Sequence, residues 1–230
     1  MKPTAANLIR WSGLAAIVGG VIFAGIQPIH PPDVLASVTT QAWAIITTTK
    51  LAMCFLLLLG LVGLYARQVE KAGWLGLAGF LLFGFSWALQ SGFVFVESLV
   101  LPLLSTAAPQ FVESALTVAN RQPGSMPIGA LPALYSLVAI TYLLGGLIFG
   151  IATFRARVLP RWPAGLLAVS GVLAAVMVSL LPHPLDRLAA VPMGLALAWL
   201  GYALLSERRE KAVEPARGVV NAQLSQTGAD

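Results

Sequence analysis

Apolar residues run along this chain in long blocks separated by short polar segments. Six blocks, residues 8–29, 41–65, 74–97, 131–153, 162–181 and 188–206, could each cross a hydrocarbon layer of about 30 Å, which takes about 20 helical residues. None shows the short alternating segments of a membrane β-barrel, and backbone in lipid must satisfy its own polar groups. The pattern therefore predicts an all-α fold: a polytopic membrane helical bundle of six transmembrane helices.

The connections differ in character. Residues 67–73 and 155–161 predict short inner loops, and 182–187 a tight outer turn. Two other outer segments are longer, 31–40 and 105–130. The second holds Pro109, Pro123, Gly124 and Pro127, with 111–118 predicted as a short helix at the lipid surface. Residues 207–230 are polar and aperiodic, which predicts a disordered cytoplasmic tail after a membrane domain over 1–206.

The odd blocks begin alike, with Trp11-Ser-Gly13-Leu14-Ala15, Trp74-Leu-Gly76-Leu77-Ala78 and Trp162-Pro-Ala-Gly165-Leu166. Even blocks end alike, Gly60 to Arg67 matching Gly146 to Arg155. Two readings fit: three repeated helical hairpins, or the shared need of every inner boundary for Trp and Arg. The glycines are packing residues on either reading, and Gly146/Gly150 has the GxxxG spacing that lets helices approach closely.

Composition sharpens the class. The chain of 230 residues is 58% hydrophobic and 10% charged, against about 45–50% and about 25% in soluble domains. This excludes a soluble enzyme and a nucleic-acid-binding module. The net charge of +5 is explained by its placement. Lys2, Arg10, Arg67, Lys71, Arg155, Arg157, Arg161, Arg208, Arg209, Lys211 and Arg217 fall on one side of the six blocks. Arg121 and Arg187 fall on the other. Positive charge stays inside, so both termini are expected in the cytoplasm. Trp11, Trp74 and Trp162 mark the inner boundary. The first block reads as an uncleaved signal anchor, because it is long and lacks a good cleavage site.

Ionisable groups at membrane depth are costly, so function is sought there. Lys50 lies a third of the way into the second block. It either snorkels to the headgroups or pairs with Glu97 at the end of the third, with Gln90 beneath on the same helix face. Together with His30 and His183 these residues are candidates for lining an outward-facing pocket. His30-Pro-Pro-Asp33 and His183-Pro-Leu-Asp186 repeat one order after two similar blocks. The four residues could hold a metal ion such as Zn or Fe. They could equally be helix ends, with Pro as terminator and Asp as cap. Tyr135 and Tyr142 share a face. The one cysteine, Cys54, excludes an intrachain disulfide and reads as inert core. No phosphate-binding loop, HExxH or GxSxG motif occurs, and no catalytic residue is assigned.

The run from Leu61 to Phe80, through Tyr65-Ala-Arg67-Gln-Val-Glu-Lys71-Ala-Gly73-Trp74, resembles a stretch found in a family of small, uncharacterised multi-pass membrane proteins of bacteria. Arg10-Trp11-Ser12-Gly13-Leu14-Ala15 is similar to their opening. The resemblance covers mainly the first three blocks. It implies a bacterial inner (plasma) membrane protein with no known activity, and carries over no site residue.

Two functional classes follow. In the first, a non-enzymatic membrane protein encloses a small polar pocket that binds or passes a small or lipidic ligand, or supports a partner. In the alternative, a membrane-embedded enzyme uses a metal at the outer leaflet. No other cofactor is expected. The expected partners are membrane lipids, a second copy of the chain or a partner membrane protein.

Overall fold

The computed structural model describes residues 4–182 and 185–206. Among them the chain is helical and contains no strand. The tail expected to be disordered, and His183 of the second His-Pro pair, lie outside the described residues. Helix α1 spans Ala5–Gly25, where Thr4 caps it by accepting from the Asn7 amide at 3.2 Å. A 3-10 turn over Gln27–Ile29 and a short helix α2 (Leu35–Val38) lead to α3, Gln41–Phe95, capped by Thr40. A π-helical turn (Val96–Val100) joins α3 to α4 (Leu101–Ala107). Then come α5 (Pro109–Ala119), α6 (Leu131–Ala156), α7 (Arg161–Leu180), a 3-10 segment (Leu185–Ala190) and α8 over 191–206.

Four stretches are long and apolar enough to cross a membrane: Asn7–Ile29, Gln41–Ala107, Leu131–Ala156 and Leu185–Ser206. The second is a hairpin. A straight helix of 55 residues would be about 80 Å long, yet Tyr65 and Phe80 stack at 4.6 Å and Lys50 reaches Glu97, 47 positions away. The chain reverses at Gly73, with φ 57° and ψ −157°, backbone that essentially only glycine adopts. The polar connection expected over 67–73 is thus no loop. Residues 67–72, Arg-Gln-Val-Glu-Lys-Ala, favour helix and continue the first arm until Gly73 turns it.

Neighbouring rods pack antiparallel through small residues. Ala16 of α1 meets Gly60, and Ser12 meets Gly63, on the first arm of α3. The other side of α1 meets α8, where a Cβ added at Gly20 would lie 2.5 Å from the Gly194 carbonyl. The second arm meets α6, where a Cβ on Gly145 would lie 2.5 Å from the Phe83 nitrogen. Gly150 packs on Ala168 of α7, whereas Gly146 faces Met193 of α8, so the GxxxG pair serves two neighbours. Phe83, Phe149, Leu61, Leu64 and Leu200 fill the centre. The outer faces carry exposed Val18, Phe55, Leu59, Leu81, Leu144 and Val169, the arrangement of a protein whose solvent is lipid.

The two ends differ. At one, Trp11, Trp74 and Trp162 are 68%, 86% and 81% exposed. Gln68 there donates to Thr153 at 2.8 Å, bringing the segment with Arg67 and Lys71 beside the one with Arg155, Arg157 and Arg161. At the other, α5 covers the bundle. The segment expected at the lipid surface instead buries Val112, Ala115 and Leu116 against Val38, Trp43 and Leu101. Its apolar positions 112, 115 and 116 share one helical face, which suits a lid on protein as well as a float on lipid. At the expected tight turn over 182–187 the Leu185 amide donates to the Pro182 carbonyl at 2.9 Å, and a 3-10 segment runs on from Leu185.

Candidate functional site: an ion-paired rim over an aromatic cavity

Beneath α5 the bundle opens into a cavity of about 460 Å³. Helix α1 brings Phe23, and the turn after it brings His30 and Asp33. The first arm of α3 contributes Lys50 and Met53, and the second Trp87, Gln90 and Phe93. Glu97 comes from the π turn, Tyr135 and Tyr142 from α6, and Asp186 and Arg187 from the 3-10 segment.

Two rows of groups define it. The upper row is ionic. Lys50 Nζ donates to both Glu97 oxygens at 2.7 Å and lies 3.1 Å from His30 Nε2. His30 Nδ1 is 2.7 Å from the Pro31 carbonyl, so it carries the proton and Nε2 accepts from Lys50. Arg187 binds the Asp33 carboxylate and donates to the carbonyls of His30 and Pro31 at 3.2 Å. Further along, Arg121 pairs with Asp186 at 2.5 Å. Burying an unpaired charge is costly, and here each cation faces a carboxylate. The lower row is aromatic. Trp87 sits edge-on to Phe23 at 5.1 Å and to Tyr142 at 6.0 Å, and Phe93 stacks on Tyr135 at 4.3 Å. Tyr135 also lines a second hollow of about 740 Å³ beneath the 122–132 segment.

The π turn is built by a proline. In π geometry the Leu101 amide bonds the Val96 carbonyl, which shifts the partner of the Glu97 carbonyl to residue 102. Pro102 has no N–H. The indole Nε1–H of Trp43 supplies the missing donor at 3.1 Å, which pins the backbone under the Glu97 side chain to the first arm. The Thr48 and Ser98 hydroxyls meet at 3.2 Å one step away.

The residues singled out from the sequence thus divide clearly. His30, Asp33, Lys50, Gln90, Glu97 and Asp186 line one cavity; His183 lies outside the described residues. Ligand atoms of His30, Asp33 and Glu97 come within 4.8 Å of one another. Glu97 therefore occupies the place expected for Asp186, which goes to Arg121. A cation already fills the cluster: Lys50 holds Glu97, and Arg187 holds Asp33. Cys54 is fully buried. Sequence reasoning missed Trp43, although Pro102, five residues after Glu97, was a usable signal of broken helix pairing.

No protein family, curated protein or solved structure matches this chain.

Proposed function

We propose that the chain is a six-span protein of a bacterial inner membrane, with both termini in the cytoplasm, and that its cavity binds a small or lipidic ligand from the outer side. The two arms of α3 count as two spans and α7 as another, beside α1, α6 and α8. The basic, tryptophan-marked end faces the cytoplasm by the rule that positive charge stays inside. The observation that carries the reading is the cavity itself. At about 460 Å³ it falls within the range of about 300–1,000 Å³ typical of small-molecule sites, with an apolar wall and a few polar groups. The three hairpins α1 with the first arm, the second arm with α6, and α7 with α8 keep the spacing of the sequence repeat, which favours an origin by duplication.

Two measurements test this. Asn120→Cys should react with a membrane-impermeant maleimide on intact cells and Lys71→Cys only after permeabilisation; the reverse pattern overturns the topology. Organic extraction of purified protein should release a bound molecule that is lost when Met53→Trp fills the cavity. Equal recovery from both proteins overturns the binding reading.

A second reading rests on the convergence of His30, Asp33 and Glu97: a metal-dependent membrane enzyme with its site at the outer leaflet. Stoichiometric Zn or Fe in purified protein would favour it.

A further inference from the structure

The chemistry of the cavity restricts its ligand more than its size does. We infer that the ligand is an uncharged amphiphile, with an apolar body and one hydroxyl or carbonyl end; this rests on the reading of the cavity as a binding site.

The first ground is charge. Lys50 is matched by Glu97, Arg187 by Asp33 and Arg121 by Asp186, and both ring nitrogens of His30 already have partners in the Pro31 carbonyl and the Lys50 ammonium. Among the described residues the rim therefore leaves no lysine, arginine or carboxylate without an opposite charge. An anion or a cation would give up its hydration and then either go unpaired or displace a partner already in contact.

The second ground is the polar groups below the rim. Among the described residues, the side chains of Gln90, Tyr135 and Tyr142 line the cavity and form no hydrogen bond with the protein. Their amide and hydroxyl groups each donate and accept, which suits a neutral oxygen function. The third ground is the wall between them, where Phe23, Met53 and Trp87 present apolar surface for a chain or ring. A ligand with one neutral polar end and an apolar body satisfies all three.

The test compares three probes with ten-carbon chains on the full chain in phosphatidylcholine nanodiscs: 1-decanoylglycerol, decanoate and decyltrimethylammonium. Binding is read as a saturable rise in unfolding temperature and a change in tryptophan fluorescence. The glycerol ester should bind, the two ions should bind at least tenfold more weakly, and Gln90→Leu or Tyr142→Phe should each weaken the ester about three- to tenfold, the loss of one neutral hydrogen bond. Either ion binding as tightly as the ester overturns the inference. So does ester binding unchanged in both variants. If no probe binds saturably, the binding reading beneath it fails as well.

Discussion

Lys50 and Glu97 sit on opposite arms of one helical hairpin, with the ammonium 2.7 Å from both carboxylate oxygens. Their side chains are 16% and 18% accessible, and a lysine left to snorkel would not hold such a bidentate contact. Neutralising one partner strands the other in a low-dielectric setting. Glu97→Gln should lower stability by about 3 kcal/mol, read as a fall in unfolding temperature in detergent. The paired replacement Lys50→Met with Glu97→Leu should recover most of it, because two apolar groups need no compensation. An additive double mutant would show that the pair is not coupled.

The two arginines of the covered end should behave differently. Arg187 and Asp33 are 12% and 14% accessible, whereas Arg121 is 52% accessible. Its partner Asp186 is only 8% accessible, so Arg121→Gln should cost more than a fully exposed pair but less than a buried one, about 1 kcal/mol. Arg187→Gln removes a carboxylate partner and the donor to two carbonyls, and should cost at least about 2 kcal/mol. Hydrogen exchange of residues 185–190 should quicken in the second variant only.

Three glycines separate three physical roles. Gly79→Ala drives a methyl into the backbone of Phe149 and should cost about 2 kcal/mol or more by forcing the second arm off α6. Gly73→Ala meets no atom within 4 Å, yet should cost about 1–3 kcal/mol through its backbone conformation alone. Gly92→Ala, equally open but in regular helix, should be neutral or stabilising by up to about 1 kcal/mol. Unfolding temperatures of the three variants check the order.

Lys50 holds the His30 and Glu97 atoms that a metal would need, which makes the metal reading testable. Zinc should leave the unfolding temperature of the natural protein unchanged. Lys50→Met frees His30 and Glu97 beside Asp33, so zinc should stabilise that variant measurably at micromolar concentration. Stabilisation of the natural protein would instead favour the metalloenzyme.

Much of this arrangement was legible in the sequence, for a physical reason. Few charges are tolerated at depth, so Lys50 had few partners, and Glu97 and Gln90 shared a face seven residues apart. Contacts set by the path of the chain were not legible. Arg187 reaches Asp33 across 154 positions, and nothing in either segment marks the other. The role of Trp43 depends on an N–H that Pro102 lacks, a coupling visible only once the hairpin closes. The helical run through Arg67–Ala72 was obscured because its polar residues read equally as loop and as a helix leaving the lipid. The placement of α5 needed knowledge of the hole it covers.

The reversal at Gly73 also constrains how the polypeptide reaches its destination. With a single residue between the limbs, there is no slack tether on which one could settle before its sister follows. On the six-span reading proposed above they enter the bilayer as a closed fork, with Lys50 and Glu97 already neutralising one another. Lengthening that vertex by a flexible insert would let each limb arrive alone, its bare charge exposed to hydrocarbon, and biogenesis rather than the finished architecture should suffer first.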